Sequence, residues 1–222
     1  MTKIWLILFF SLVLLSSSCL AEIFVKQQDE YSCAPVSSYN LITKLCPDCK
    51  KDIKNLYKLE KTNFKGTTIY NLCQGLKKYF KKQSRTVQIK YYGIKKIRKY
   101  KISSNINIEE LASEISNNSQ SILNIGIYIK NSNGNYVRQW GHYVNLISIE
   151  EHNQLIVFDP YDKNKTPITW KLKQLNGVCL KNINDNEKYD KTTNIYAVEN
   201  KIHYLKPNEI AIINGIVVVK SD

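Results

Sequence analysis

Hydrophobic and small residues recur every three or four positions in the first third of the chain, which is the spacing of one face of an α-helix. The clearest stretch runs from Cys33 to Leu45, where Ser32 is a good N-cap and Pro35 falls in the first turn. Further helices are predicted at 52–61 and 68–82. The first third of the chain is therefore predicted to be helical.

The period changes to two after residue 85, where β-branched and aromatic residues alternate with polar ones. Strands are predicted at 86–92, 121–129, 142–149 and 155–159, and a short helix at "NIEELASEI" begins with a capping box of Asn107 and Glu110. Turns are predicted at Asn133–Gly134 and His152–Asn153, and Asn214–Gly215 between two apolar runs predicts a C-terminal hairpin.

Helices followed by an antiparallel sheet are typical of an α+β protein. The 222 residues are 43% hydrophobic, which is enough for one core and too little for two large domains. No internal repeat or interdomain linker is visible. We expect one domain at 22–180, followed by a small β extension at 181–222.

The first 21 residues are predicted to be a secretory signal peptide, with Lys3, an apolar run over 4–15 and cleavage after Ala21. One alternative is a membrane anchor, for which the apolar run is short against the roughly 20 residues needed. The other is a lipoprotein signal modifying Cys19, which lacks the leucine expected three residues earlier. Cleavage predicts a secreted or periplasmic protein with no transmembrane span left.

Positive charge dominates the chain. The formal net charge is +13, or +12 without Lys3. The segment Lys77–Lys101 holds 11 Lys and Arg and no acidic residue, which suggests an anionic partner such as nucleic acid, acidic lipid head groups or a cell-wall polymer. Because Lys, Asn and Ile are abundant throughout, we favour a solvated face for this segment. An anionic surface partner is kept as the alternative, and nucleic acid is not the expected one.

Five cysteines remain after removal of the signal peptide, and export implies an oxidising compartment. An odd number leaves one thiol free. Cys46, Cys49, Cys73 and Cys179 are expected to form two disulfides, with Cys46 or Cys49 bridging to Cys73. A four-thiolate zinc site is the alternative. Cys33 is then the free thiol.

Cys33 lies at the start of a predicted helix, where the helix dipole favours the thiolate form that acts as a nucleophile. Such a thiol also needs an imidazole. His142 opens a predicted strand, whereas His152 lies in a polar turn and His203 in the tail. The next strand ends at Asp159, and hairpin pairing of the two strands places Asp159 beside His142, where it can orient the ring.

Gln27 lies six residues before Cys33 and is the candidate oxyanion donor. Its side-chain amide and the backbone N–H of Cys33 would supply two hydrogen bonds to a developing negative charge. Gln28 is adjacent and takes this role if the helix begins one residue away from the predicted position.

Three motifs thus occur in order: Gln27-x5-Cys33 before a helix, Gly141-His142-Tyr143 opening a strand, and Asp159-Pro160 closing the next strand. Together they resemble the papain-like cysteine peptidase superfamily, and within it stand-alone members of the bacteriocin-processing (double-glycine leader) peptidase family. The stretch "GTTIYNLCQGLKKYF" resembles the Gly-Thr-led helix of those relatives. The likeness covers roughly residues 24–162.

The resemblance implies a nucleophile helix packed on a C-terminal antiparallel sheet, within a papain-like peptidase domain at 22–180. It implies that Cys33 is the nucleophile, His142 the base, Asp159 its orienting group and Gln27 the oxyanion donor. The implied function is a secreted hydrolase that cleaves an amide bond of a peptide or protein substrate without a metal or organic cofactor. Two alternatives stay open: a cysteine-dependent transpeptidase, as in the phytochelatin synthases, and a non-catalytic basic binding module on a peptidase fold.

Overall fold

The computed structural model describes most of the chain after the predicted signal peptide. The described ranges are 24–95, 97, 99–103, 106–116, 118–151, 153–164, 166–182 and 194–221. The predicted signal peptide, including Cys19, lies outside these residues, as does His152. Within the described ranges, no helix is both long enough and apolar enough to span a membrane.

The N-terminal part is helical, as the spacing predicts. The helices are α1 (Cys33–Leu45), α2 (Ile53–Leu59), α3 (Ile69–Lys82) and, between strands, α4 (Ile108–Glu114). The side chains of Asp52, Thr68 and Asn107 cap α2, α3 and α4 by accepting backbone N–H groups of the first turn. Ser32 occupies the N-cap position of α1, but its side chain makes no capping bond; its hydroxyl donates to the backbone oxygen of Asp29 (3.3 Å). The first turn of α1 therefore has no cap from the Ser32 side chain.

Nine strands are found in the described part of the chain. They are β1 (Val87–Gly93), β2 (Lys101–Ser103), β3 (Ser119–Lys130), β4 (Tyr136–Glu150), β5 (Gln154–Phe158), β6 (Ile168–Leu175), β7 (Leu180–Asn182), β8 (Ile195–Val198) and β9 (Glu209–Ser221). Their order is β2-β1-β9-β3-β4-β5-β6-β8, with β7 paired to β4. The pairings are antiparallel except β1–β2 and β4–β7. A further pairing of β8 with β9 closes six of the strands into a barrel, so the α+β class is confirmed.

The last strand departs from the sequence prediction. Asn214–Gly215 predicts a hairpin turn, but β9 is continuous and pairs with β1 on one side and with β3 on the other. Ile213 pairs with Ile125 and Gly215 with Asn124, so Asn214 is an additional residue in the ladder, as in a β-bulge. The hairpin prediction is wrong because ladder bonds on both sides of β9 outweigh the local turn preference of Asn-Gly.

The predicted C-terminal β extension is part of the central sheet in the structure. Strand β9 lies between β1 and β3, and nine consecutive residues, 211–219, are buried. Continuous burial is typical of a strand covered on both faces. The boundary at residue 180 therefore does not separate a peripheral segment, since part of 181–222 lies in the middle of the sheet.

Strand β4 begins earlier than predicted. The turn around Gly134 joins it to β3, and pairing with β3 extends from Tyr136 onwards. His142 therefore lies inside a strand instead of opening one. Pairing with Ile125 of β3 restrains its backbone, while β5 pairs with β4 only from Asn145 onwards.

A buried polar network fixes α1 over β4. The Ser37 hydroxyl donates to the backbone oxygen of Tyr143 (3.1 Å), and Asn145 Nδ2 donates to the backbone oxygen of Ser37 (2.8 Å). Asn40 binds both backbone groups of Val25, accepting from its N–H (2.7 Å) and donating to its oxygen (3.0 Å). The helix start and the segment before it are therefore held in register with the strand that carries His142.

Gly75 of α3 packs against the buried side chain of Glu60. A Cβ atom at position 75 would overlap Glu60 Cγ and would lie 3.0 Å from the Glu60 backbone nitrogen. Burial raises the pKa of Glu60 well above its usual value, which favours the uncharged form of the carboxyl group.

We expect Gly75→Ala to lower the free energy of unfolding by about 1–3 kcal/mol through overpacking, measured by urea denaturation. In a Glu60→Ala background the same substitution should cost less, because the overlap with Cγ is gone and only the close approach to the backbone of residue 60 remains. Equal losses in the two backgrounds would contradict the proposed overlap.

The cysteines pair differently from the prediction. Cys46 and Cys49 form a disulfide with each other, with a Cα–Cα distance of 5.3 Å, while Cys33, Cys73 and Cys179 are free thiols. The bridge to Cys73, the second disulfide and the four-thiolate zinc site are therefore all wrong. The turn after α1 brings Cys46 and Cys49 within bridging distance. Cys73 of α3 is instead fully buried in the core. This burial is the main cause that raises the pKa of its thiol to about 12.

Candidate active site

His142 and Asp159 form the centre of the site. His142 Nε2 lies 2.7 Å from Asp159 Oδ1, and the two side chains are only 4% and 1% exposed. The hairpin register explains this contact, because β5 ends at Phe158 opposite Asn145, and Asp159 follows on the side of β4 that carries His142. The contact predicted from sequence is confirmed.

Two more donors hold the Asp159 carboxylate. The Tyr204 hydroxyl donates to Oδ2 (2.7 Å), and the backbone N–H of Tyr161 donates to Oδ1 (2.8 Å). Burial alone would raise the pKa of Asp159, but the charge of His142 and these hydrogen bonds together lower it below its usual value. Asp159 is therefore a carboxylate at neutral pH, with both oxygens bonded.

The same interactions act on His142 in the opposite sense. Burial by itself lowers the pKa of His142, but the charge of Asp159 and its hydrogen bond, followed by the interaction with Cys33, raise it to about 10. Since Asp159 engages Nε2, the ring nitrogen that remains for Cys33 is Nδ1. The arrangement favours the protonated, imidazolium form of His142, which lies between Asp159 and Cys33.

Cys33 is the first residue of α1 and is 5% exposed. Of the three free thiols among the described residues, it is the one that interacts with His142. Cys73 is enclosed in the core, and Cys179 is partly exposed. The odd number of cysteines therefore does not single out Cys33, because three thiols are free. Cys33 is singled out by its contact with the imidazole of His142.

Gln27 is anchored beside the loop that follows Asp159. Its backbone N–H donates to the oxygen of Pro160 (3.1 Å), and its side-chain Nε2 donates to the backbone oxygen of Asp29 (2.9 Å). Its Oε1 is buried and has no hydrogen-bond partner. One of the two amide hydrogens of Gln27 thus remains for a ligand. The neighbouring Gln28 is exposed.

An aromatic cluster covers the His142–Asp159 pair. The rings of Tyr161 and Tyr204 meet the imidazole edge-on, at centroid distances of 6.2 and 5.9 Å, and Trp140 lies 6.0 Å from Tyr204. Sequence reasoning missed Tyr204, which lies 45 residues after Asp159 in a segment without clear periodicity. No local signal in the sequence connects these two residues.

The remaining candidates lie apart from this centre. His203 is exposed and touches the ring of Tyr204 from outside, at 5.2 Å. Among the described residues, the group with metal-ligand spacing is Cys46, Asp48 and Cys49, whose two sulfur atoms are joined in the disulfide. Neither feature adds a reactive group to the centre.

The basic segment Lys77–Lys101 is partly neutralised. Arg85 pairs with Asp48, and Lys90 pairs with Glu114 at 2.6 Å. A cavity of about 430 Å³ is lined by Lys77, Thr86, Val87, Gln88, Ile89, Lys99 and Tyr100. An anionic partner for this segment stays a prediction.

A model of the Peptidase_C39 like family matches residues 21–197, which is most of the chain. The chain belongs to the Peptidase_C39 like family. Cys33, His142, Asp159 and Gln27 all lie within the matched range, whereas Tyr204 lies beyond it. The residue that holds Asp159 Oδ2 thus comes from outside the region that this Peptidase_C39-like chain shares with the family model.

Among solved structures, this Peptidase_C39-like chain is similar to the peptidase domain of Streptococcus ComA, described as a bifunctional ABC transporter involved in a quorum-sensing pathway. The two are 19% identical, with a TM-score of 0.41, over 65% of this chain and 82% of that one. No curated protein matches the chain.

Proposed function

We propose that this chain is an exported, papain-like cysteine peptidase that hydrolyses an amide bond of a peptide or protein. One observation carries the proposal: His142 is held by Asp159 through one ring nitrogen and interacts with the Cys33 thiol at the start of α1. A thiol, an imidazole and an orienting carboxylate in this order constitute a nucleophile with its base. Membership of the Peptidase_C39 like family supports the same reaction.

The reaction proceeds through an acyl-enzyme. His142 takes the Cys33 proton, and the thiolate sulfur attacks the carbonyl carbon, forming a C–S bond and a tetrahedral oxyanion. The imidazolium returns its proton to the amide nitrogen as the C–N bond breaks and the amine leaves. His142 then removes a proton from water, which attacks the thioester and releases the acid and the Cys33 thiol. Asp159 keeps the ring oriented and balances the imidazolium charge throughout.

The oxyanion is stabilised where α1 begins. The backbone N–H of Cys33 at the uncapped helix start supplies one donor, and the amide of Gln27 supplies the second. In the absence of substrate the amide donates to Asp29 (2.9 Å), so it is already ordered. Its free hydrogen is the one assigned to the oxyanion.

Export is part of the proposal. The N-terminal apolar run has the form of a signal peptide. A disulfide such as Cys46–Cys49 is typical of an oxidising compartment. The peptidase would thus act outside the cytoplasm.

Alkylation of the non-reduced protein tests the proposal without knowledge of the substrate. With limiting iodoacetamide at pH 6, we expect Cys33 to react at least about ten times faster than Cys179, because only a thiolate reacts and, among the described residues, Cys33 is the thiol beside the His142 imidazolium. Mass spectrometry of the digest measures both sites. Since Cys33 is only 5% exposed and Cys179 is more exposed, accessibility alone predicts the reverse order. Preferential labelling of Cys179 would refute the active thiolate.

The two adjacent glutamines provide a matched comparison for the oxyanion donor. Gln27→Ala should lower kcat by about 10²-fold, because one hydrogen bond to the tetrahedral intermediate is lost. Gln28→Ala removes the same group from an exposed side chain and should leave kcat within about two-fold, as is usual for surface substitutions. Steady-state hydrolysis of one peptide by both variants measures this. Equal losses would remove Gln27 from the mechanism.

A further inference from the structure

The guanidinium of Arg138 lies close to the site without an acidic partner. Arg138 belongs to β4, four residues before His142, and is partly buried. Its Nε is shielded from solvent and has no hydrogen-bond partner. None of the ion pairs between described residues involves it. A guanidinium keeps its positive charge, and desolvation without a partner is unfavourable. A group that stays unpaired in such a place is suited to receive a ligand.

The position of Arg138 depends on a pair of glycines. Gly126 of β3 and Gly141 of β4 are direct partners, so any side chains at these positions would point to the same face. A Cβ atom at Gly141 would overlap Arg138 Nη2, and one at Gly126 would overlap Asn214 Nδ2. The two glycines therefore leave a space on this face that two side-chain donors occupy.

Asn214 contributes a second unpaired donor. It is fully buried at the bulge of β9, and its Oδ1 accepts from the Tyr128 hydroxyl (2.9 Å), while its Nδ2 has no partner. On the same face, two residues before Gly126, Asn124 Oδ1 is a buried acceptor without a partner. Arg138 and Asn214 thus offer N–H groups suited to a carboxylate, and Asn124 offers an acceptor suited to a peptide N–H.

This face is the one that meets α1. Tyr143 lies two residues after Gly141, on the same side of the strand, and its backbone oxygen accepts from Ser37 of α1. Burial raises the pKa of Tyr143, the charge of Cys33 adds to the rise, and the charge of Arg138 opposes it. Arg138 and Cys33 are therefore both within electrostatic range of one buried tyrosine.

We propose that Arg138, together with Asn214, binds a carboxylate of the substrate, so that the cleaved peptide bears an acidic side chain or a C-terminal carboxylate near the scissile bond. This inference rests on the proposed peptidase function. A charge-assisted, bidentate bond to the guanidinium would orient the peptide beside Cys33. The formal charge of +12 without Lys3 favours the approach of such a substrate.

Binding can be measured without turnover in the Cys33→Ala protein. The probes are N-acetylglutamate α-amide, with a side-chain carboxylate, N-acetylglutamine, with a terminal one, and N-acetylglutamine amide, with neither. We expect a saturable shift of the Arg138 Nε–H resonance, assigned by its loss in Arg138→Gln, with one or both carboxylates and none with the neutral amide. The carboxylate that binds identifies the source. No shift, or an equal shift with the neutral probe, would overturn the inference.

Three variants locate the effect. Arg138→Gln should weaken binding of the responding carboxylate at least about ten-fold, measured by isothermal titration calorimetry. Gly141→Ala keeps the charge but displaces Nη2, and should also weaken binding. Arg85→Gln removes the same charge from an exposed pair with Asp48 and should leave affinity within about two-fold. If Arg85→Gln weakens binding as much as Arg138→Gln, the effect is net charge and the inference is wrong.

Cleavage separates this inference from the peptidase proposal. If the titration identifies the side-chain carboxylate, wild type should cleave a Glu-containing peptide with a kcat/KM at least about ten times that for its Gln counterpart; if it identifies the terminal carboxylate, the pair is a peptide with a free C-terminus and its C-terminal amide. Arg138→Gln should abolish the preference while Cys33 alkylation stays unchanged. If wild type cleaves both members of each pair equally, the carboxylate site is wrong and the peptidase stands. If wild type cleaves neither and Cys33 is not preferentially alkylated, the peptidase proposal fails, and the probe titration still decides the carboxylate site.

Discussion

His142→Ala should lower the rate of peptide hydrolysis by about 10⁴-fold, the upper range for general acid–base catalysis, because it removes both the base for Cys33 and the acid for the leaving amine. The loss should appear in kcat, since the imidazole contributes most in the transition state. Hydrolysis of a peptide followed by mass spectrometry measures it. Alkylation of Cys33 at pH 6 should slow in the same variant, while that of Cys179 should not.

His203→Ala is the matched control for this loss. His203 is exposed and lies outside the pair formed by His142 and Asp159, so its removal should change kcat by less than about three-fold, as for other surface substitutions. A large loss in His203→Ala, or full activity in His142→Ala, would require a different base.

The raised pKa of His142 also predicts a pH dependence of stability. A pKa raised from 6.5 to about 10 means that the folded chain binds this proton more tightly than the unfolded chain. The resulting stabilisation is fully present below pH 6.5 and is lost as the pH rises through about 10. Urea denaturation of wild type and His142→Ala should show a difference in unfolding free energy that shrinks across this interval.

Asp159→Asn should lower kcat by about 10³-fold although it preserves the size of the side chain. The amide carries no charge to balance the imidazolium, and it presents either its NH₂ or its carbonyl to a ring nitrogen that needs a carboxylate acceptor. Because Asp159 is the main group that raises the pKa of His142, the alkaline limb of the pH–rate profile should move to lower pH. Initial rates between pH 5 and 10.5 measure both effects.

Asp162→Asn is the matched control. Asp162 is a buried aspartate in the same turn, its N–H donates to the backbone oxygen of Asp159 (3.0 Å), and its carboxylate accepts from the backbone of Asn164 (2.9 Å). It does not bond His142, so the alkaline limb should stay where it is. A shift of that limb in Asp162→Asn, or its absence in Asp159→Asn, would contradict the role given to Asp159.

The local parts of the structure could be predicted because their causes lie close together in sequence. The spacing of small and apolar residues predicts α1 at Cys33–Leu45, as observed. The hairpin formed by β4 and β5 brings His142 and Asp159 together over 17 residues, and strand register alone predicts their contact. The helix follows from the periodicity of its residues, and the contact between His142 and Asp159 follows from the short connection between their strands.

Local preferences fail where long-range pairing competes with them. Asn214–Gly215 has the composition of a turn, but β1 and β3 lie on either side of it and make it a bulge. The disulfide prediction is wrong for the opposite reason. A bridge to Cys73 is predicted, whereas the helix end already brings Cys46 and Cys49, three residues apart, within reach of each other.

The sequence by itself determined the helix that begins at Cys33, the antiparallel strands and the pairing of His142 with Asp159. Only the tertiary structure decided which of the three free thiols in the described part of the chain meets the imidazole, that Tyr204 holds the far oxygen of Asp159, and that Arg138 lies unpaired above Gly141. The physical reason is separation along the chain. Periodicity encodes which face of an element is buried, whereas contacts between side chains dozens of residues apart exist only after the barrel has closed.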